Sequence, residues 1–259
     1  MSRIAIFAYG LVCYVMFLVV FLYMVGFIGN FWVPKSIDAP PAVVGILPAL
    51  AINIGLLLAF GLQHSIMARP TFKNWWTRFV PKPAERSTYV LASNVCMIAL
   101  LALWQPMPMI IWDVHNEFTR GTVWFLFAGG WLLVLLATFL INHFDLFGLR
   151  QIWLHLRGRE YTHLSFATPF IYNYIRHPLY VGWMTAFWAT PTMTLGHLVF
   201  AAVNTVYMLI AIFLEERNLV QHFGRQYEEY RKRTPMFVPR RNATRSPAPA
   251  GNMAGLSEY

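Results

Sequence analysis

Four apolar runs, each close to membrane length, constrain this 259-residue chain more than any other feature. They extend from Ile4 to about Phe31, from Val43 to about Met67, from Thr88 to about Trp104 and from Thr122 to about Ile141. A helix needs about 20 apolar residues to cross the hydrocarbon core of a bilayer. The first run is too long for the apolar region of a signal peptide, and no small-residue cleavage site follows it, so it reads as a retained transmembrane helix. Only 12% of the residues are charged, against about 25% in soluble domains. That deficit excludes a disordered chain and argues against a water-soluble globule. The expected fold class is all-α integral membrane.

The end of the chain reads differently. Leu179–Leu195 and His197–Leu214 are apolar but shorter, and Pro191 and Gly196 interrupt them. Two short spanning helices or a tight helical hairpin both fit, and both return the chain to the same side. A cytoplasmic helix is expected to follow, continuing through Phe223 to Tyr230. Beyond Pro239 the composition turns to Arg, Asn, Pro, Ala, Gly and Ser, which predicts a disordered tail. The chain thus divides into a four-helix membrane region (1–141), a polar and helical C-terminal region (142–239) and a tail (240–259).

Charge sets the orientation. Twenty Lys and Arg face eleven Asp and Glu, a formal +9. The excess lies in three places: Arg69 to Arg86 after the second run, Arg150 to Arg176 after the fourth, and the tail from Arg225. The intervening gaps, near Lys35 and near Asp113, have none. This is the positive-inside pattern, with both termini cytoplasmic, and it accounts for the charge better than a nucleic-acid surface does. Trp75, Trp76, Phe79 and Trp153 in the basic gaps suit the headgroup level. Cys13 and Cys96 sit inside apolar runs and read as packing residues; no metal-ligand cluster is visible.

Polar residues concentrate between Asn142 and Arg233 in three segments. The first, Asn142 to Gln151, follows the fourth run; His143 and Asp145 there either cap the helix or belong to a site, since ionisable groups at membrane depth need a reason. In the second, Tyr172 to Trp183, Pro178 suits a first helical turn, whose free N–H groups attract an anion beside Arg176 and His177. An ordinary interfacial helix start reads equally simply. The third holds Glu215 and Glu216 at the end of the last apolar run, where the helix dipole disfavours carboxylates. They need a basic side chain or a cationic ligand. Leu219, Phe223, Tyr227 and Tyr230 recur at helical spacing, as a packing face or a ligand wall.

The order of these segments is more specific than any one alone. Arg-His-Pro-x-Tyr-x-Gly, an apolar hairpin, then Glu-Glu-x-x-Leu-x-x-x-Phe-Gly-x-x-Tyr-x-x-Tyr and a proline resembles the integral-membrane methyltransferases related to isoprenylcysteine carboxyl methyltransferase. The resemblance covers Asn142 to Pro239. It implies S-adenosylmethionine as methyl donor, held on the cytosolic side by Tyr172, His177, Pro178, Leu179, Tyr180 and Glu215, with Glu216 beside it. The prenylcysteine enzymes carry an arginine shortly before the Glu pair, whereas Ala211 to Leu214 here hold no cation. A prenylated cysteine acceptor is therefore disfavoured. The segment from Asn142 to Gln151, and Gln63 to Pro70, are most similar to the methanethiol S-methyltransferase branch.

That resemblance implies a small thiol as substrate, with dimethyl sulfide as product and no metal. A thiol is mostly protonated at neutral pH, so a proton acceptor is expected. Asp145, partnered by His143 or His64, is the favoured candidate, although His64 also reads as a helix-end histidine bonding a carbonyl. A dry pocket would speed the meeting of thiolate and sulfonium, whose charges cancel in the transition state. Another thiol, a lipid or an isoprenoid is the alternative acceptor. A small transporter or assembly factor is the non-enzymatic alternative, disfavoured because the polar groups sit at one side and not at the midplane. Lipid is the expected surrounding, a bacterial inner membrane the expected location, and the oligomeric state stays open.

Overall fold

The structure, a computed structural model, describes residues 2–41, 43–162 and 167–239. The tail expected to be disordered, 240–259, lies outside the described residues. Among the described residues ten α-helices follow one another: α1 (Arg3–Gly29), α2 (Ile46–Met67), α3 (Pro70–Trp76), α4 (Glu85–Leu103), α5 (Glu117–Ile141), α6 (His143–Leu146), α7 (Leu149–Leu156), α8 (Pro178–Trp188), α9 (Leu195–Phe223) and α10 (Arg225–Arg233). Five are long and apolar enough to cross a membrane: α1, α2, α4 with its preceding turn, α5 and α9. Their outward residues are apolar; Leu22 on α1, Phe125 on α5 and Phe213 on α9 are each at least two-thirds exposed. Such faces require lipid rather than water. The protein is an integral, multi-pass membrane protein.

The four N-terminal runs become α1, α2, α4 and α5, while the C-terminal pair is unequal. α9 has 29 residues and is long enough to span on its own. α8 has only 11 residues, about 16 Å of rise. Yet its start meets Glu216 near the far end of α9, and Thr194 caps the near end, accepting from His197 N–H at 3.1 Å. The stretch from Pro178 to Thr194 therefore bridges the height of Leu195–Glu216, about 32 Å. Extended backbone after Trp188 supplies the remainder at about 3.3 Å per residue.

That extended stretch pairs with another, so the fold is mostly rather than wholly helical. β1 (Ile110–Asp113) and β2 (Thr192–Thr194) form a two-stranded antiparallel ribbon. A ribbon this short has no sequence period to announce it. It closes the end of the bundle opposite the loops after α2, α5 and α9. Arg3 and α10 both lie at the other end; Phe7 on α1 packs on Trp153 of α7.

Small residues let α8 lie directly on α5. A Cβ on Gly182 would come within 2.8 Å of the Val134 nitrogen, and one on Gly130 within 2.6 Å of the Ala186 nitrogen. Backbones pack this closely in membranes because lipid gives helices no hydrophobic drive toward each other, leaving contact area to hold them. Aromatic rings fill the core around this seam: Trp131 meets Phe21 and Trp183 edge-on, each at 5.3 Å. Buried polar groups pin the other helices. Asn53 exchanges two hydrogen bonds with the Gln105 backbone after α4, and Asn94 donates to the Cys13 carbonyl of α1.

Candidate functional site

The start of α8 and the last turns of α9 meet at the end opposite the ribbon. His177 is the N-cap of α8 and Pro178 its first residue; no side chain caps the free N–H groups there. The incoming strand is fixed by the chain after α10, with Arg176 N–H donating to Pro235 O and His177 N–H to Met236 O. α10 reaches this position because Gly224, at φ +54°, turns the chain out of α9. The helix expected to continue to Tyr230 is thus broken, in a backbone conformation that favours glycine.

The two glutamates have different fates. Glu216 is buried, and one of its oxygens accepts from Arg176 Nε at 2.8 Å and meets His177 Nε2 at 2.9 Å. Arg176 also donates to the Arg231 carbonyl. Glu215 is half-buried and accepts from the Tyr180 hydroxyl at 3.0 Å. Among the described residues no Lys or Arg reaches it. Of the two partners such a pair requires, Glu216 has the basic side chain and Glu215 is open to a cation. Tyr172 lies nearby, its carbonyl accepting from Tyr230 OH at 2.6 Å. Its own hydroxyl is buried with no hydrogen-bond partner among the described residues. Burial, reinforced by Glu215 and Tyr230, pushes the Tyr172 phenol up, so it remains a neutral donor. Tyr172, His177, Pro178, Leu179, Tyr180, Glu215 and Glu216 therefore come together at one junction.

Asp145 and His143, neighbours in the chain, diverge. One Asp145 oxygen accepts from Arg150 Nη1 at 3.1 Å and the other from Tyr161 OH at 3.2 Å. His143 is buried against α1 and α5, with Tyr14 OH 2.8 Å from Nε2 and Thr138 Oγ1 2.9 Å from Nδ1. It stacks on Phe139 at 4.3 Å. Burial pushes its imidazole down, so it is neutral at pH 7.

His64, the remaining candidate, is not bonded to a carbonyl through its ring. Its Nε2 lies 2.9 Å from Tyr89 OH and its Nδ1 3.4 Å from Ser93 Oγ, both on α4. Tyr180, which bonds Glu215, lies within electrostatic reach of Tyr89 and Tyr207, so the His64 wall lies near the Glu215 junction. Tyr207 OH in turn meets Ser65 Oγ at 3.1 Å. Arg86 links this wall to the Asp145 segment, donating from Nε to Leu146 O at 2.8 Å.

Comparison with known proteins identifies the family. The phospholipid methyltransferase family matches residues 123–226, which hold the whole of α8 and α9. Methanethiol S-methyltransferase of Crocosphaera subtropica is 52% identical over 92% of this chain and 93% of its own length. The chain belongs to the methanethiol S-methyltransferase family. A second member, from Bradyrhizobium diazoefficiens, is 47% identical over 96% of this chain and 98% of its own. A third, from Mycobacterium tuberculosis, is 48% identical over 92% and 98% respectively. No solved structure matches. As a member of this family the chain is a methyltransferase.

Arg86, Tyr89, Ser93 and Tyr207 escape a reading by motif. For those on α4 the signal is composition, since Ser87, Thr88, Tyr89, Ser93 and Asn94 interrupt an apolar run; Tyr207, on α9, has no such signal. Arg150 and Tyr161, which hold Asp145, carry no spacing that announces it.

Proposed function

We propose that this chain transfers a methyl group from S-adenosylmethionine to methanethiol, giving dimethyl sulfide, at the cytoplasmic face of a bacterial inner membrane. One observation carries the reading: Glu215 is a half-buried carboxylate held by a tyrosine and open to a cation. The family's relatives bear the matching activity in their names. The basic loops after α2, α5 and α9 gather at this end, which supports cytoplasmic termini.

The residues present fit the donor. Glu215 offers a charge for its cationic groups, the Tyr172 hydroxyl an unused hydrogen-bond donor, and the first turn of α8 free N–H groups for a carboxylate. S-Adenosylmethionine supplies, when bound, an electrophilic methyl on a positively charged sulfur. Tyr180 orients Glu215. Leu179 and Pro178 shape the first turn, and Glu216 braces His177 and Arg176. His177 is thereby occupied, so the anion-receiving role falls to the helix N–H groups.

Proton removal from the thiol falls to His64, whose ring joins the tyrosine wall. All three candidates have protein partners on their polar atoms, and what favours His64 is its contact with Tyr89, a residue within electrostatic reach of the Tyr180 that bonds Glu215. Asp145 holds Arg150 and the fold of α6 and α7, while His143 ties α6 to α1. Purified enzyme given S-adenosylmethionine and methanethiol should release dimethyl sulfide into the headspace. Methylation of co-purified lipid with no dimethyl sulfide would overturn the choice of acceptor.

A further inference from the structure

Beside His64 stand Tyr89 and Arg86, to which neither the motifs nor the family resemblance gives a role. Tyr89 OH is 2.9 Å from His64 Nε2. If His64 Nδ1 carries the proton toward Ser93 Oγ, 3.4 Å away, Nε2 is a base with a phenol in front of it. Phe60 stacks beside the imidazole at 5.5 Å, keeping that flank apolar. Arg86, one turn earlier on α4, lies over the Tyr89 ring with its guanidinium carbon 5.3 Å from the centroid. Its Nε is bonded to Leu146 O, but among the described residues no acceptor meets its terminal nitrogens. A guanidinium fixed by one nitrogen, with its other donors open, is suited to an anion.

The remaining ionisable groups facing Tyr89 and His64 are few. α4 contributes Glu85 besides Arg86, α9 contributes Tyr207 and α8 Tyr180. Tyr9 on α1 turns its hydroxyl to Thr88 instead.

We propose that Tyr89 and Arg86 form the acceptor-thiol subsite: Tyr89 is a catalytic residue that relays the thiol proton to His64, and Arg86 holds the thiolate. This deepens the methyl-transfer reading above and rests on it. The Tyr89 O–H proton moves to His64 Nε2 as the phenol oxygen takes the S–H proton, leaving a thiolate beside Arg86 and an imidazolium. The thiolate lone pair then forms the new S–CH3 bond while the donor's sulfonium S–CH3 bond breaks, and both sulfur products are neutral thioethers. The product has no charge for Arg86 to hold. The imidazolium, repelled by Arg86, returns its proton to water.

The test compares the full-length enzyme with Tyr89→Phe, His64→Gln, Arg86→Gln and Arg86→Lys. S-Adenosylmethionine affinity is measured by titration, bound thiolate by ultraviolet difference absorbance with methanethiol added, and kcat/KM across pH. Tyr89→Phe and His64→Gln should each bind the donor normally yet lose about 10²-fold or more in kcat/KM at pH 7. Both should recover as pH rises toward the thiol's own ionisation. Arg86→Gln should abolish the bound-thiolate signal in the absence of donor, and Arg86→Lys should restore part of it. A loss equal at every pH, or a thiolate signal that survives in Arg86→Gln, would overturn the subsite while leaving methyl transfer intact. A wild-type enzyme that methylates no thiol overturns the underlying reading and the subsite with it.

Discussion

His177 places Nε2 2.9 Å from Oε1 of Glu216, the same oxygen that Arg176 Nε reaches at 2.8 Å. One buried carboxylate thereby fixes two consecutive residues ahead of α8. The neighbouring Glu215 accepts instead from Tyr180. A glutamate tied to basic side chains and a glutamate held by a tyrosine hydroxyl stand side by side in the chain.

Glu216→Gln leaves the Arg176 guanidinium, only 8% exposed, without a counter-charge. Removing one partner of a buried pair costs about 3–5 kcal/mol. Thermal unfolding in detergent should show a clear drop for Glu216→Gln and little change for Glu215→Gln. Equal effects would contradict the division of roles.

Tyr172→Phe separates stability from binding. Its hydroxyl is buried without a partner among the described residues, so removing it should leave the unfolding temperature unchanged or raised. Losing one hydrogen bond to the donor costs about 0.5–1.5 kcal/mol, a several-fold rise in the dissociation constant. Unchanged affinity would remove Tyr172 from the donor site.

Much of this was legible in the sequence, for a physical reason. Crossing hydrocarbon demands an uninterrupted apolar length, so α1, α2, α4 and α5 announce themselves within a few residues. The unequal pair does not. Pro191 and Gly196 mark a break between Leu179 and Leu214, but whether extended chain can complete a crossing depends on β1, about 80 residues away in sequence. At the site, the grouping of Tyr172, His177 and Glu215 is suggested by motif order. Which glutamate is tied to Arg176 and which is open is not, because each partnership spans 35 residues or more and exists only once α8 packs on α9.

Gly182→Ala probes the close approach of α8 to α5. Its Cβ would stand 2.8 Å from the Val134 nitrogen and 2.9 Å from the Gly130 carbonyl oxygen, rigid backbone on both sides. Overpacking of this kind costs about 1–3 kcal/mol. Because Gly182 is one turn into α8, the displacement should also weaken donor binding. A variant of full stability would show that the helices can separate without strain.

His143 provides a pH dependence whose sign follows from its burial. Desolvation lowers its folded pKa below the unfolded value of about 6.5. The unfolded chain therefore binds more protons under acid conditions, and the His143 contribution is present above that pH and lost as pH falls through and below it. Wild-type unfolding temperature should drop between pH 7 and pH 5. His143→Gln should be less stable at pH 7, having lost the neutral bridge between Tyr14 and Thr138, but should drop less on acidification. A parallel fall in both proteins would assign the acid sensitivity elsewhere.

The most direct measurement is a titration of purified wild-type and Glu215→Gln enzyme with S-adenosylmethionine, without thiol. Wild type should bind, and the variant, still folded by its unfolding temperature, should bind about 10- to 100-fold more weakly, or about 1.4–2.7 kcal/mol. Equal affinity of the two, or no binding to either, would contradict the placing of the methyl donor at Glu215.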